Sequence, residues 1–261
     1  DIRMVSFTGS NAAGIAVAKN AADTIKRVAQ ELGGKSPYIL CEDSLFETSV
    51  PAAIKRCFIN SGQTCTAPTR LLVPQGLLAR IEDIAAQCVA GIETGNGQPG
   101  SLGPLVSKTQ FERVQGYITM GLDEGARLIA GGPGRVDGLA RGYSVRPTIF
   151  SGVANTMAVA REEIFGPVLC IMPYRDEAHA VVLANDSVFG LAAYVSSADL
   201  DNARRIAEQL EAGVVHINEP ERDIEAPFGG YKQSGNGREW GRWGLREFLE
   251  TKAMIGWGAD S

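Results

Sequence analysis

A single cysteine in a loop of small polar residues is the first residue of this sequence whose type and setting could do chemistry. Cys65 lies within 61–70, between an apolar helical run and a short strand-like run. A thiol in such a loop can face a substrate, and its thiolate form is a strong nucleophile. The other four cysteines lie in apolar or amphipathic runs, which predicts buried structural positions: Cys41, Cys57, Cys88 and Cys170.

Two glutamates, distant from this cysteine along the chain, are the next candidates for chemistry. Glu31 ends a strand-like run against two glycines, so we expect an unusually free backbone and a carboxylate that could act as a general base. Glu163 belongs to a pair of acids followed by Phe165, and a carboxylate can accept two hydrogen bonds from ribose hydroxyls. From the residues alone, a surface glutamate and a solvated turn remain open alternatives.

A glycine pair early in the chain could bind a phosphate group. Gly9 and Gly14 bracket a turn after a strand-like run, where a helix over 12–22 begins with Asn11 as its predicted N-cap. Backbone N–H groups at such a helix start attract phosphate, although two glycines alone could equally make only the turn. The polar, aromatic loop over 227–239 is of the irregular kind that often carries function.

The elements that must position these residues alternate between strands and helices along the chain. Strand-like and helical runs follow one another from 4 to 217, and the pattern predicts an α/β fold. We expect an open, mostly parallel sheet with helices on both faces.

Composition excludes several classes of function. The chain has 261 residues, a formal net charge of −5, 44% hydrophobic residues and no basic cluster, which argues against nucleic acid and a polybasic membrane contact. Five scattered cysteines predict reduced thiols in a cytoplasmic protein, and two distant histidines predict no metal site. The first residue is Asp1, in a strand-like run, so we expect a piece of a longer chain.

Together these stretches resemble the aldehyde dehydrogenase superfamily. The resemblance covers residues 1 to about 257, and family members are roughly twice as long, so it implies that an N-terminal half carrying most of a dinucleotide-binding domain is missing. The matching motifs occur in the family's order: Phe7-Thr8-Gly9-Ser10, Glu31-Leu32-Gly33-Gly34-Lys35-Ser36-Pro37, Gly62-Gln63-Thr64-Cys65, 162–167 and 227–237.

The resemblance implies a reaction and a role for each matching residue. Cys65 would attack an aldehyde, a hydride would pass to NAD or NADP, and Glu31 would activate the water that hydrolyses the thioester to a carboxylic acid. The Cys65 N–H would be one oxyanion donor, with an asparagine of the missing half as the other. Implied cofactor contacts are Gly9, Ser10 and Gly14 at the pyrophosphate, the Leu32 backbone and Phe165 at the nicotinamide, and Glu163 at its ribose.

The same resemblance implies how the chain is divided and with what it associates. We expect the C-terminal remnant of a Rossmann-like dinucleotide-binding domain over 1–33, a catalytic domain over 34–247 and an oligomerisation tail over 248–261. The run 245–255 resembles the family's closing strand, which predicts a homo-oligomer, a dimer or tetramer. A small aldehyde is the expected substrate, and the isolated chain is expected to have little activity.

Two other functions remain open. A coenzyme A-acylating dehydrogenase would need no water-activating base, so Glu31 argues against it. A non-catalytic fragment or assembly module could keep these motifs without a complete nucleotide fold.

Overall fold

The structure, a computed structural model, describes residues 2–95 and 101–257. The first residue of the expected 1–33 remnant and the last four of the expected 248–261 tail lie outside the described residues. The strands are β1 (Met4–Thr8), β2 (Arg27–Glu31), β3 (Pro37–Leu40), β4 (Arg70–Pro74), β5 (Arg127–Ala130), β6 (Thr148–Ser151), β7 (Val168–Tyr174), β8 (Phe189–Gly190), β9 (Ala192–Ser196), β10 (Val214–Ile217), β11 (Tyr231–Lys232) and β12 (Gly235–Asn236). The helices are α1 (Asn11–Ala22), α2 (Phe46–Phe58), α3 (Leu78–Ala90), α4 (Lys108–Asp123), α5 (Ala158–Arg161), α6 (Glu177–Asn185), α7 (Leu200–Ala207) and α8 (Gly241–Glu247).

A seven-stranded sheet forms the centre of the fold. Its strand order is β10-β9-β3-β4-β7-β6-β5, and every neighbouring pair is parallel except β5 with β6. The predicted open, mostly parallel sheet is therefore confirmed. None of the helices in the described ranges is long and apolar enough to cross a membrane.

Helices cover both faces of this sheet, because its central strands are apolar on both sides. On one face α2 and α3 pack through residues such as Val50, Ile54 and Ile81. On the other face α4, α6 and α7 contribute apolar residues that include Ile118 and Ile206. Strands β4 and β7 of this sheet follow the segments that carry Cys65 and Glu163.

A separate three-stranded sheet holds the beginning of the chain. Strand β2 lies in its middle, parallel to β1 and antiparallel to β12. Glu31 pairs with Thr8 on one side and with Gly235 on the other. The prediction that the Glu31 backbone is unusually free is wrong, because it is hydrogen-bonded into a sheet on both sides.

Helix α1 begins one residue earlier than the sequence predicts. Ser10 is the N-cap, and its hydroxyl accepts a hydrogen bond from the Ala13 N–H at 3.4 Å. Asn11 instead uses its side chain in tertiary contacts: it donates to the Gln233 carbonyl at 2.7 Å and accepts from the Gly33 N–H at 3.2 Å. The N-cap prediction for Asn11 is wrong because a long-range contact uses that side chain.

The C-terminal segment differs from the strand that the resemblance implies. Residues 245–247 complete helix α8, and 248–254 form no strand. A strand needs a neighbour for its backbone hydrogen bonds, and none of the described residues supplies one here. Several apolar side chains of this segment are exposed, among them Phe248, Leu249 and Ile255.

Candidate active site

The loop that carries Cys65 leaves helix α2 through a run of left-handed backbone. Asn60, Ser61 and Gly62 have φ angles of 52°, 56° and 73°. This region is uncommon for residues other than glycine, although asparagine tolerates it. A Cβ atom at Gly62 would overlap the carbonyl of Gly166, so only glycine fits where these two backbones meet. The path of the chain into Cys65 is therefore closely determined.

Cys65 itself lies in a tight turn. The Ala67 N–H donates to the Thr64 carbonyl at 3.0 Å across this turn, and the Cys65 side chain is partly exposed. A Cβ atom at Gly34 would overlap the Cys65 carbonyl oxygen. The glycine segment after β2 therefore lies directly against the backbone of the cysteine.

The surroundings of Cys65 include groups that raise the pKa of its thiol and groups that lower it. Burial is the largest influence and raises the pKa of its thiol, and the negative charges of Glu163 and Glu31 raise it further. The N–H groups of Cys65 and Thr66 lower the pKa, because they stabilise negative charge on the sulfur.

Glu31 presents a carboxylate without a hydrogen-bond partner. Both of its oxygens are buried and unpaired within the described residues. The pKa of this carboxyl is raised to about 8, chiefly by burial and secondly by the charge of Glu239, while Arg238 opposes the shift. A carboxyl group that titrates near neutral pH can accept a proton from water or a thiol and release it again.

The backbone beside Glu31 is fixed by the loop near the C-terminal end. The Leu32 N–H donates to the Ser234 carbonyl at 2.9 Å. The Ser234 hydroxyl donates to the Gly33 carbonyl at 2.6 Å and accepts from the Gly190 N–H at 3.0 Å. Sequence reasoning singled out the 227–239 loop but not this serine, which is fully buried in the contact.

Glu163 contacts the glycine segment 33–34 directly. Its carboxylate accepts a hydrogen bond from the Gly34 N–H at 3.0 Å. Burial raises the pKa of Glu163, while the Gly34 N–H, Lys35 and Arg113 oppose that shift. Gly34 thus contacts Glu163 through its N–H and Cys65 through its Cα side.

The segment that carries Glu163 and Phe165 is held by helix α4. Arg113 donates to the Glu163 carbonyl at 2.8 Å, and the Gln110 amide donates to the Phe165 carbonyl at 2.8 Å. Phe165 has a left-handed backbone, with φ of 58°, and an exposed ring. Sequence reasoning missed Gln110 and Arg113, since their helical periodicity predicted α4 but not the segment it contacts.

The turn before α1 is joined to the same site through the backbone. The Gly9 N–H donates to the Glu31 carbonyl at 3.0 Å. A Cβ atom at Gly14 would come within 2.6 Å of the Leu32 side chain, so this glycine lets α1 approach the end of β2. The Ser10 hydroxyl is occupied by helix capping. Helix capping and packing therefore account for Ser10 and Gly14 at this turn. The contact of this turn with a pyrophosphate stays a prediction.

The burial of the other four cysteines differs from the prediction at one position. Cys41, Cys57 and Cys170 are buried as predicted, and all five cysteines are free. Cys88 is only partly buried, because it lines an open cavity of about 580 Å³ beside Ile92. The prediction of a buried structural position is wrong for Cys88.

The structure therefore brings three of the predicted site residues to one place. Cys65, Glu31 and Glu163 lie around the glycine segment 33–34, close enough for both carboxylates to affect the thiol pKa. The thiol comes from the loop after α2, one carboxylate from the small sheet and the other from the segment before β7. Such a site combines a nucleophile, a titratable base and an acceptor of hydroxyl hydrogen bonds.

The family, the relatives and the solved structures that match this chain all point to one family of enzymes. Residues 1–254 match the aldehyde dehydrogenase family. A 3-succinoylsemialdehyde-pyridine dehydrogenase of Pseudomonas sp. is 52% identical over 259 residues, which cover 98% of this chain and 54% of that protein. The chain thus spans about half the length of the curated relatives it matches.

Solved structures share the fold. Aldehyde dehydrogenase C of Pseudomonas syringae, a cysteine-to-alanine mutant in complex with NAD+ and octanal, is 51% identical, with a TM-score of 0.98 over 100% of this chain and 54% of that chain. A Mycobacterium tuberculosis aldehyde dehydrogenase in complex with NAD+ is 43% identical, with a TM-score of 0.93 over 96% of this chain and 52% of that one. This chain belongs to the aldehyde dehydrogenase family.

Proposed function

We propose that this chain carries the nucleophile and the base of an NAD(P)-dependent aldehyde dehydrogenase that releases a carboxylic acid. The observation that supports this best is the convergence of a partly exposed thiol, Cys65, with the unpaired carboxylate of Glu31 around segment 33–34. The activity, substrate and cofactor are proposals, since the chain spans about half the length of its relatives.

In the first step, the Cys65 thiolate attacks the carbonyl carbon of the aldehyde and forms a tetrahedral thiohemiacetal alkoxide. The new alkoxide needs hydrogen-bond donors, and the Cys65 N–H is positioned at the nucleophile to be one of them. This N–H already interacts favourably with negative charge on the sulfur. The same group can therefore stabilise the oxyanion as it forms.

Collapse of the thiohemiacetal leaves a thioester on Cys65 and releases a hydride, which a bound NAD+ or NADP+ would accept. Glu31 then takes a proton from the water that attacks the thioester. A raised pKa of about 8 makes this carboxylate a stronger base than an ordinary glutamate. The Cys65 thiolate is released and a carboxylic acid leaves.

The residues around segment 33–34 fit the nicotinamide end of such a cofactor. Glu163 has one hydrogen bond in place, from the Gly34 N–H, and its acceptor capacity exceeds that single bond. It can therefore accept hydrogen bonds from ribose hydroxyls, while the exposed Phe165 ring can pack beside the nicotinamide. We further propose that the Leu32 backbone helps to position this ring.

The turn before α1 extends the proposed cofactor contacts. Gly9, Ser10 and Gly14 lie where a strand leads into a helix, and the N–H groups at this helix start would face the pyrophosphate. We accordingly propose 1–33 as the end of a dinucleotide-binding domain, 34–247 as the catalytic domain and 248–261 as an oligomerisation tail. The relatives' complexes with NAD+ make NAD+ the first cofactor to test, and octanal the first aldehyde.

Replacing the nucleophile tests the proposal. In the complete protein, Cys65→Ala should reduce aldehyde oxidation and esterase turnover by at least about a thousandfold, because the acyl group then has no attachment site. Cys88→Ala, which removes the other partly exposed thiol, should change neither. Both rates are followed spectrophotometrically, by NADH formation and by release of an aryl alcohol.

Three results would contradict the assignment. Normal oxidation by Cys65→Ala would place the nucleophile elsewhere. Product formation that requires added coenzyme A would favour the acylating reaction over hydrolysis. Absence of oxidation in the unaltered complete protein, with NAD+ and NADP+ each tested, would favour a non-catalytic module.

A further inference from the structure

A strained segment follows strand β10. Asn218 and Glu219 both have left-handed backbone, with φ angles of 52° and 51°. The Asn218 side chain is bound to the Ser197 backbone twice, accepting from its N–H at 3.0 Å and donating to its carbonyl at 2.9 Å. Its N–H also donates to the Val195 carbonyl at 3.0 Å. These bonds hold Glu219 in a conformation that this residue type rarely adopts.

The strained residue presents its carboxylate to two partners from other elements. Arg56, on helix α2, donates to one Glu219 oxygen from Nε at 2.9 Å and from a terminal nitrogen at 2.7 Å. The hydroxyl of Tyr38, on strand β3, donates to the other oxygen at 2.7 Å. Both carboxylate oxygens are thus occupied by directed, charge-assisted or short hydrogen bonds.

These partners enclose one aromatic ring. Tyr194, on strand β9, stacks with Tyr38 at 5.5 Å between ring centroids and with His216 at 4.7 Å. The Arg56 guanidinium lies 5.1 Å from the centroid of the same ring. The Tyr194 ring is therefore restrained by His216 and by two groups that are hydrogen-bonded to Glu219, Tyr38 and Arg56.

The restrained ring reaches the candidate nucleophile loop. The Tyr194 hydroxyl donates to the Thr66 carbonyl at 2.9 Å. Thr66 directly follows Cys65, and both lie inside the turn closed by the Ala67 N–H and the Thr64 carbonyl. A continuous set of contacts thus joins the residue after β10 to the turn that presents the thiol.

We propose that Glu219 is a positioning residue for the Cys65 turn and acts on it through Tyr194. The Glu219 clamp, defined as Glu219, Arg56, Tyr38 and Tyr194, keeps the Thr66 carbonyl and hence the thiol in one orientation. This inference deepens the proposed function because it concerns the same thiol. Its test needs no dehydrogenase turnover, so the two can fail separately.

Stability alone gives no reason for the strained conformation of Glu219. The Arg56 and Glu219 side chains retain 29% and 32% exposure, and ion pairs open to solvent contribute little to stability. Backbone strain at a residue other than glycine persists where the surroundings enforce it, commonly at functional sites. In this conformation the Glu219 carboxylate binds Arg56 and Tyr38, which contact the Tyr194 ring. The Tyr194 hydroxyl in turn binds Thr66, next to Cys65.

Alkylation of the thiols measures the effect of the Glu219 clamp directly. The full chain is treated with iodoacetamide, and the rates at Cys65 and Cys88 are resolved by peptide mass spectrometry. Tyr194→Phe removes the hydroxyl that holds Thr66 and should make alkylation of Cys65 about 3–10 times faster, because a released turn exposes the thiol and favours its thiolate. The rate at Cys88 should not change.

A matched control separates positioning from loss of a buried hydroxyl. Tyr174 is as buried as Tyr194, and its hydroxyl also donates to a carbonyl, that of Leu40, at 2.7 Å. Tyr174→Phe should lower the melting temperature to a similar extent and leave the Cys65 rate unchanged. An unchanged or slower Cys65 rate in Tyr194→Phe would overturn the proposal.

The carboxylate is tested by a second variant. Glu219→Gln keeps the side-chain shape but loses the charge toward Arg56, and it should also accelerate Cys65 alkylation. Combined with Tyr194→Phe, it should add little, because both changes break one set of contacts. Glu177→Gln removes a carboxylate bound to Asn202 at 2.6 Å and serves as its control. Fully additive effects of Glu219→Gln and Tyr194→Phe would show that Glu219 does not act through Tyr194.

Discussion

The two sides of the candidate site are held in different ways. On the Cys65 side, the backbone is fixed by left-handed residues, by close approach of Gly34 and by the hydrogen bond from Tyr194 to Thr66. On the Glu31 side, the backbone is paired in a sheet, yet the carboxylate has no hydrogen-bond partner within the described residues. Cys65 is thus held through the whole turn that contains it, whereas Glu31 is held only through its backbone.

This difference fits the different tasks that we propose for the two groups. A nucleophile gains rate when its orientation toward the carbonyl carbon is restricted. A base that must contact a water molecule and then release its proton needs a pKa near the working pH and freedom of its side chain. Burial with few partners gives Glu31 both, and its pKa is raised to about 8.

The largest expected effect comes from breaking the Glu31 side. Glu31→Gln keeps the size of the side chain but cannot accept the proton of water, so hydrolysis of the acyl-enzyme should slow by about 10²–10⁴-fold. Transfer of the acyl group to Cys65 should continue. Rapid-mixing experiments on the complete protein should therefore show a burst of NADH followed by a much slower steady state.

A neighbouring carboxylate provides the control for this variant. Glu162 accepts a hydrogen bond from the Tyr117 hydroxyl at 2.5 Å, and Glu162→Gln should retain a normal steady-state rate. Disappearance of the burst in Glu31→Gln would assign Glu31 to acylation instead of hydrolysis.

The next largest effect comes from breaking the backbone of the Cys65 side. Gly62→Ala places a Cβ atom on the Gly166 carbonyl at a φ of 73°, and should lower the free energy of unfolding by about 2–4 kcal/mol. Gly76→Ala is the matched control, since a Cβ atom there would meet nothing within 4 Å. Urea denaturation of both variants measures the difference. Equal stability of the two would show that the close approach at Gly62 is not rigid.

The smallest expected effect is the pH dependence of stability that comes from the Glu31 side of the site. The pKa of Glu31 is raised in the folded protein from 4.5 to about 8, so the folded state binds more protons than the unfolded state between these values. Its contribution to stability is present below about pH 4.5 and is lost as the pH rises through about 8. Relative to Glu31→Gln, the unaltered protein should lose at least about 1.4 kcal/mol over this range.

Glu239 allows the source of this pH dependence to be checked. Its charge is the second largest cause of the raised Glu31 pKa, after burial. Glu239→Gln should move the loss of stability to lower pH, as followed by urea unfolding at several pH values. A pH dependence that is identical in the unaltered protein and in Glu31→Gln would contradict the assignment to Glu31.

Much of the fold was predictable from the sequence. The alternation of strand-like and helical runs is a local property, and it predicted the mostly parallel sheet that the structure shows. The order of five motifs predicted the family, which the match over residues 1–254 confirms. Local errors arose where a tertiary contact outweighed a local preference, as when Asn11 bound Gln233 and left the N-cap to Ser10.

The sequence by itself determined which residue types are available for chemistry: the thiol of Cys65, the carboxylates of Glu31 and Glu163, and the order of the motifs that contain them. The tertiary structure decided how these groups are held. Glu219 meets Arg56 across 163 positions, and Ser234 meets Gly33 across 201. Contacts so distant along the chain leave no periodic pattern, because they depend on which strands become neighbours in the sheet.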